Sequence, residues 1–298
     1  MTKLLFTACC CFLILLLVNG THHVEARRHR ERRQDRTLFV FGDSFVDAGN
    51  LPRSAKSRAS RGWYYPYGSS DSAHRNRATG RLSDDLVQSD FLARMLGNDD
   101  EPPPPYSPNE AVDGSGGVNF ALPMSGVLNG PEEELALGGQ IDQFRRLVSR
   151  GVIRDADLDG SVALVSVANG HDYSHVSDTT WLSGYARCDG RGNAMAGMHN
   201  ALLGQKLGDL DGVLLLDLYT AFNSVAQSKS GSTPCCDTTD PNGHCGQEDG
   251  SGRAQYSVCD DPDSYFSWDY MHPTQAGWEA VMDQLRGPIQ DFLASSRD

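Results

Sequence analysis

The sequence predicts an α/β fold built around a mostly parallel central sheet. Short, continuous apolar runs, typical of strands buried on both faces, alternate along the chain with segments whose apolar residues recur at helical spacing. This alternation indicates strand–helix–strand units. With 298 residues, 39% of them hydrophobic, the chain can bury a substantial core.

Four apolar runs predict the strands. The first covers residues 37–41 and ends at Gly42-Asp43, and a short strand that leads into a turn is expected at 116–121. The runs at 161–168 and 212–218 are rich in Val and Leu, and we expect both to be central strands.

Helices are predicted between these runs. Ser83 followed by two aspartates is typical of a helix start. Other helices are expected around 141–148, at 195–207 and from Pro273, the last one interrupted at Gly287-Pro288. Residues 51–82 are expected to be irregular. The tyrosines of 63–67 there are read as packing against the sheet rather than lining an acyl or sugar site.

The N-terminus is expected to lie outside the fold. Lys3 precedes an apolar run from Leu4 to Val18, which is too short for a comfortable membrane span. We predict a signal peptide at 1–26, a basic arm at 27–36 and one hydrolase domain at 37–298, with an uncleaved membrane anchor as the alternative. The chain is therefore expected to be secreted, without stable insertion into a membrane.

The charge of the chain narrows its partners. A formal net charge of −13 repels nucleic acid and anionic lipid, so neither is expected to bind. The sequence has no phosphate-binding loop and no recognisable set of metal ligands, so no cofactor and no metal are predicted. The sequence gives no indication of the oligomeric state.

Five cysteines follow the predicted signal peptide: Cys188, Cys235, Cys236, Cys245 and Cys259. A zinc site at Cys235, Cys236, His244 and Cys245 is one interpretation, but their spacing fits none of the usual ligand patterns. In a secreted chain, disulfides that staple a surface loop are the stronger prediction. The odd number leaves one cysteine without a partner.

Two short segments carry residue types suited to acyl transfer. Ser44 follows the first predicted strand, where active sites of open α/β sheets lie, although Gly-Asp-Ser alone is also an ordinary turn. It does not form the Gly-x-Ser-x-Gly elbow. Asp269 and His272 are three residues apart before a helix, a spacing that lets a carboxylate orient an imidazole base. The alternative is a capping aspartate beside a surface histidine.

These segments resemble the signature blocks of the plant-type GDSL esterase/lipases of the SGNH-hydrolase superfamily: FGDSFVDAGN at 41–50, GVNFA at 117–121 and DYMHP at 269–273. The resemblance implies a flavodoxin-like three-layer sandwich, the SGNH-hydrolase fold. It also implies Ser44 as nucleophile, His272 as base and Asp269 as the residue that orients it. The oxyanion hole would use the Ser44 N–H, a glycine N–H of the second block and an asparagine of the third.

The chain departs from this pattern at the oxyanion positions. The third block reads NGHD at 169–172, so His171 stands where the asparagine is expected, and Asn169 lies two residues away. His171 either donates in its place or is an ordinary loop residue. In the second block Met124 occupies the glycine position, and Gly126 is the nearest glycine. Loss of one oxyanion donor costs about 3–4 kcal/mol.

A larger departure is an internal deletion around residues 183–188. The family has a further block before the Cys-Asp-Gly segment, whereas here residues 181–187 lead directly into Cys188. About 50–70 residues are absent, the size of one or two βα units. The fold is therefore expected to lack one strand and helix, and Cys188 to lack its partner.

The sequence thus predicts a secreted serine esterase that hydrolyses small-molecule or lipid acyl esters through an acyl-enzyme. Acyl transfer to another alcohol is a close variant. The alternative is a catalytically impaired relative that retains binding of lipids or cell-wall glycans, which the changes at Met124 and His171 favour.

Overall fold

The protein is described by a computed structural model that covers residues 36–55, 58–98, 102–108, 113–127, 136–167, 190–229, 233–238 and 243–296. The predicted signal peptide and nearly all of the basic arm lie outside these ranges. The strands are β1 Leu38–Gly42, β2 Gly117–Asn119, β3 Val162–Ser166, β4 Cys236–Thr238 and β5 Tyr256–Val258. The α-helices are α1 Gln88–Met95, α2 Leu137–Ser149, α3 Asp155–Leu158, α4 Gly190–Leu207, α5 Leu218–Ser228 and α6 Gln275–Ser295.

The first three strands form a parallel sheet in the order β2-β1-β3. All five residues of β1 are buried, because its alternating side chains enter two different apolar clusters. Leu38 and Val40 pack with residues of α1, α5 and α6, whereas Phe39 and Phe41 pack with residues of α2. Helices therefore cover both faces of the sheet, and the α/β sandwich predicted from the sequence is confirmed.

The predicted start of the first helix is wrong by several residues. α1 begins at Gln88, and the predicted capping residues serve a different helix. Asp84 Oδ1 accepts a hydrogen bond of 2.7 Å from the backbone N–H of Gln275, in the first turn of α6. The Ser83 hydroxyl donates to the carbonyl oxygen of Pro273 at 3.0 Å. Residues with the composition of a helix cap thus bond to the start of α6, 190 residues away in the chain, rather than to the helix that follows them.

The last helix differs from its prediction at both ends. Thr274, not Pro273, precedes its first turn, and the Thr274 hydroxyl accepts from the Gly277 N–H at 2.9 Å. The helix then continues through Gly287 and Pro288 to Ser295. One face of α6 is buried through Trp278, Val281 and Leu285. We attribute its continuity across the proline to this packing, which offsets the lost hydrogen bond.

The strand predicted at 212–218 is not formed within the described chain. Residues 213–217 carry no strand assignment, and α5 begins at Leu218 with Asp217 as its cap. A strand exists only through hydrogen bonds to a neighbour, and no described strand is hydrogen-bonded to this segment. β3 was also expected to be central, but it is the outer strand of the described sheet and leaves Val165 57% exposed. Both differences are what removal of one intervening strand would produce.

A small antiparallel hairpin, β4 with β5, is held by two disulfides, Cys235–Cys259 and Cys236–Cys245. This confirms the disulfide interpretation of the cysteine-rich loop and replaces the zinc alternative. Cys188 lies outside the described residues. No helix within the described ranges is both long and apolar enough to cross a membrane.

Candidate active site

Ser44 lies in the turn that follows β1. Gly42 ends the strand at φ +140°, and a Cβ atom there would lie 1.9 Å from the Ser166 carbonyl oxygen, so only glycine fits. The Asp43 N–H donates to that same oxygen at 3.0 Å, and the Asp43 carboxylate accepts from the Phe45 N–H. Ser44 is 4% exposed. The Gly-Asp-Ser sequence therefore fixes a tight turn against β3 that presents the serine at the sheet edge.

His272 reaches Ser44 from the other end of the chain. Its Nε2 atom lies 2.9 Å from the Ser44 Oγ atom, across 228 residues of sequence. The ring is buried and packs edge-on against Phe45. The loop that carries it is closed by a 2.7 Å hydrogen bond from the Trp268 N–H to the His272 carbonyl oxygen.

Asp269 contacts the opposite side of the same ring. The His272 Nδ1 atom lies 2.9 Å from Oδ1 and 3.0 Å from Oδ2 of Asp269. The backbone N–H groups of Met271 and His272 both donate to Oδ1 at 2.8 Å. The three-residue spacing therefore folds into an Asx-type turn in which the carboxylate faces its own histidine.

Two further groups, which the sequence did not predict, contact Asp269. Arg61 Nη2 lies 3.0 Å from Oδ2, and the Tyr67 hydroxyl donates to that oxygen at 2.8 Å. Burial alone would raise the pKa of Asp269, but the charges of His272 and Arg61 and the hydrogen bonds outweigh it and hold this pKa below its usual range. Tyr67 lies in the tyrosine-rich segment predicted to pack, and it is buried, whereas Tyr64 and Tyr65 are exposed.

The disulfide hairpin supports the segment just before Asp269. The Cys235 N–H donates to the Ser267 carbonyl oxygen at 2.8 Å, and the Cys236 N–H donates to the Trp268 carbonyl oxygen at 2.6 Å. Trp268 is fully buried in one apolar cluster with Tyr67 and the cysteines. The crosslinked loop therefore fixes the position from which Asp269 projects.

The oxyanion candidates of the second block lie in the turn after β2. Met124 adopts φ +67°, a left-handed conformation that favours glycine, and its side chain is 59% exposed. This conformation agrees with the alignment of the second block, in which Met124 stands at the position of a glycine. Gly126 is tied to α2, since its carbonyl oxygen accepts from the Leu137 N–H at 3.0 Å. The candidates of the third block, Asn169 and His171, lie outside the described residues.

A buried glutamine, also missed, joins this turn to β1. Gln140 Nε2 donates to the Gly42 carbonyl oxygen at 2.9 Å and to the Ser125 hydroxyl at 2.7 Å. The Gly42 N–H donates back to Gln140 Oε1 at 2.8 Å. A detectable signal exists, because Gln140 stands at helical spacing with Phe144 and Leu147 on the apolar face of α2.

A second polar network joins the first and second blocks. Asp47 Oδ1 accepts from the N–H groups of Gly49 and Asn50, and Asn50 Nδ2 contacts Asn119 Oδ1 at 3.3 Å. Asn119 Nδ2 donates to the Val46 carbonyl oxygen at 2.7 Å. Burial raises the pKa of Asp47 to about 6 even though these hydrogen bonds lower it. Within the described residues, no group of three or more His, Cys, Asp or Glu side chains is arranged to hold a metal ion.

The fold and the matched sequence define an SGNH-type α/β hydrolase, since the family model for GDSL-like lipase/acylhydrolases matches residues 38–178. The GDSL esterase/lipase At5g03610 of Arabidopsis thaliana is 31% identical over 343 residues, covering 93% of this chain and 93% of that protein. At3g09930 of the same plant is 29% identical, covering 88% and 90%. The chain belongs to the GDSL esterase/lipase family and is a hydrolase of ester bonds.

The alignment with the first relative also bears on the predicted deletion. It spans 343 residues, more than the 298 residues of this chain, so it includes positions that the chain lacks. This agrees with a family member that has lost an internal segment.

Proposed function

We propose that this protein is a secreted serine esterase in which Ser44, His272 and Asp269 act as a catalytic triad. The observation that carries the proposal is the pair of contacts on the His272 ring, Ser44 Oγ at Nε2 and the Asp269 carboxylate at Nδ1. The carboxylate favours the tautomer with its proton on Nδ1, which leaves Nε2 as the acceptor for the serine proton.

The reaction begins when Ser44 Oγ attacks the ester carbonyl carbon and its proton passes to His272 Nε2. The imidazolium then returns that proton to the leaving alcohol as the C–O bond breaks, and an acyl-Ser44 ester remains. Water, deprotonated by His272, attacks this ester and releases the acid. Replacement of water by a second alcohol turns the same sequence into acyl transfer.

The proposed oxyanion hole combines the backbone N–H groups of Ser44 and Met124 with a donor from the third block, Asn169 or His171. Gly126 is the alternative donor in the second block. The left-handed backbone at Met124 supports its assignment as an oxyanion donor, because the family has a glycine at the corresponding position and glycine favours this conformation. We assign no stable membrane insertion and no nucleic-acid partner to the protein.

Secretion is part of the proposal. Two observations support it: the apolar run from Leu4 to Val18 and the two disulfides of the β4–β5 hairpin, which persist in oxidising compartments. Residues 1–26 are the proposed signal peptide, 27–36 the basic arm and 37–298 the hydrolase domain. Acyl esters, from small molecules or lipids, are the proposed substrates.

Hydrolysis of short-chain p-nitrophenyl esters by the purified protein tests the proposal. Ser44→Ala and His272→Ala are expected to lower kcat by at least about 10³-fold. His74→Ala is the matched control, because the His74 ring is largely exposed and pairs with Asp71, away from Ser44 and Asp269 in sequence and in hydrogen bonding. It is expected to keep wild-type rates.

The competing function is binding without turnover, which the changes at Met124 and His171 and the predicted internal deletion favour. A folded wild-type protein that hydrolyses no ester, yet retains lipids or wall glycans, would replace the esterase proposal with this one.

A further inference from the structure

The carboxylate of Asp269 has more partners than its orienting role requires. Two backbone N–H groups already hold Oδ1, and the Tyr67 hydroxyl already donates to Oδ2. Burial raises the pKa of Tyr67 well above its ordinary value, so this hydroxyl stays a donor across the working pH range. The orientation of Asp269 is therefore set by neutral donors, and Arg61 adds charge.

Arg61 is itself held as a buried cation. Its side chain is 8% exposed, that of Asp269 is fully buried, and the two lie 3.0 Å apart. The guanidinium carbon stands 5.8 Å from the centre of the Tyr67 ring and 5.3 Å from that of Tyr270. Aromatic faces of this kind stabilise a cation that has lost its water. The fold thus keeps a positive charge buried beside the Asp269 carboxylate.

A buried charge at this place acts on the histidine as well. Asp269 contacts His272 and Arg61 at once, so its single negative charge acts on the imidazole and on the guanidinium together. An uncompensated buried carboxylate would strongly favour the imidazolium form. That form cannot accept the serine proton, so the resting enzyme would be inactive over a wider range of acidic pH.

We propose that Arg61 is a positioning residue that acts on His272 through Asp269, offsetting the carboxylate charge so that the enzyme keeps its activity at lower pH. The inference rests on the proposed triad. Among the described residues, the titratable groups that contact Asp269 are Arg61 and Tyr67 from the β1–α1 connection and His272 from its own loop, while Tyr270 packs against Arg61. Only Arg61 and His272 among them carry or gain positive charge.

The test compares the acid limb of the kcat/KM–pH profile for ester hydrolysis in the wild-type protein and four variants. Arg61→Gln removes the charge and keeps an N–H donor. Arg61→Lys keeps the charge but loses the planar guanidinium with its several N–H donors. Tyr67→Phe removes the neutral donor to Asp269 Oδ2. Arg53→Gln is the surface control, since Arg53 is exposed in the same connection.

The midpoint of the acid limb is expected to rise by about one pH unit in Arg61→Gln. It should rise by a few tenths of a unit in Arg61→Lys, and stay at the wild-type value in Tyr67→Phe and Arg53→Gln. A purely structural role would lower kcat in the Arg61 variants without moving the midpoint.

An unchanged midpoint in folded Arg61→Gln would overturn the inference. Should that variant fail to fold, Arg61→Met decides it, because it also removes the charge while keeping an unbranched side chain, and an unchanged midpoint there would have the same meaning. Failure of the triad itself looks different: the wild-type protein would then show no turnover that depends on Ser44 at any pH.

Discussion

Gln140 and Gly42 exchange two hydrogen bonds, one in each direction, at the residue that lies two positions before Ser44. The same amide group also donates to Ser125, next to Met124. A single buried side chain of α2 thus sets the distance between the turn that carries Ser44 and the turn that carries the second-block oxyanion candidates.

Gln140→Leu is expected to lower kcat about 10–100-fold with little change in KM, because misplaced oxyanion donors act on the transition state. The unfolding free energy should fall by about 1–3 kcal/mol, since the buried Gly42 N–H loses its partner, while the Gly42 carbonyl oxygen keeps the hydrogen bond from the Leu122 N–H. Gln143→Leu, partly exposed on the same helix, is the control. Equal kinetics for the two variants would contradict the role given to Gln140.

Met124→Gly is expected to stabilise the protein or leave its stability unchanged. A left-handed backbone costs an L-residue about 1–2 kcal/mol and costs glycine nothing, but glycine loses more conformational entropy on folding, which offsets part of this gain. kcat should not fall, since the backbone N–H is retained. Met124→Ala removes the same side chain and keeps the backbone penalty, so it should not share the gain. A thermal midpoint that falls in the glycine variant alone would contradict the conformation assigned to Met124.

The two disulfides are expected to contribute unequally. Cys235–Cys259 closes a separation of 24 residues and Cys236–Cys245 one of 9. Loop-closure entropy then predicts a larger loss of unfolding free energy, by about 1 kcal/mol, when the longer loop is opened by paired Cys→Ser substitutions. Urea unfolding measures both. Because the hairpin holds residues 267 and 268, esterase activity should fall in each double variant, and full activity in both would count against this support.

Asp47 is expected to make stability depend on pH. Its pKa is raised by burial from an ordinary 3.8 to about 6, so between these values the folded state binds more protons than the unfolded state. The unfolding free energy therefore decreases as the pH rises through this window, by up to about 3 kcal/mol from this group.

Asp47→Asn, which cannot titrate, should flatten that decrease in urea unfolding between pH 4 and 7. Asp142→Asn, at an exposed carboxylate on α2, is the control and should leave the slope unchanged. An identical slope in wild type and Asp47→Asn would rule out the assigned shift.

The part of the site that sequence analysis could predict is the part carried by contiguous residues. Ser44 lies where a strand ends, and Asp269 with His272 closes a local turn, so each motif is legible within a few residues. Arg61, Tyr67 and Gln140 were missed because their contacts join positions 208, 202 and 98 residues apart. Only Gln140 left a local trace, as a polar residue on an apolar helix face.

The fold shows the same division. The apolar run of β1 predicted a buried strand correctly, because a strand that is buried on both faces has apolar residues at consecutive positions. The run at 212–218 has the same character, yet it forms no strand in the described chain, since its pairing depends on a neighbour elsewhere in the sequence. Ser83 and Asp84 likewise have the composition of a helix start and instead contact the beginning of α6.

The most direct test of the central claim is the site at which a fluorophosphonate probe labels the purified protein, located by mass spectrometry of its peptides. We expect stoichiometric labelling of Ser44 that is lost in His272→Ala and retained in His74→Ala. A folded wild-type protein that takes up no label, or that is labelled at another serine, would contradict it.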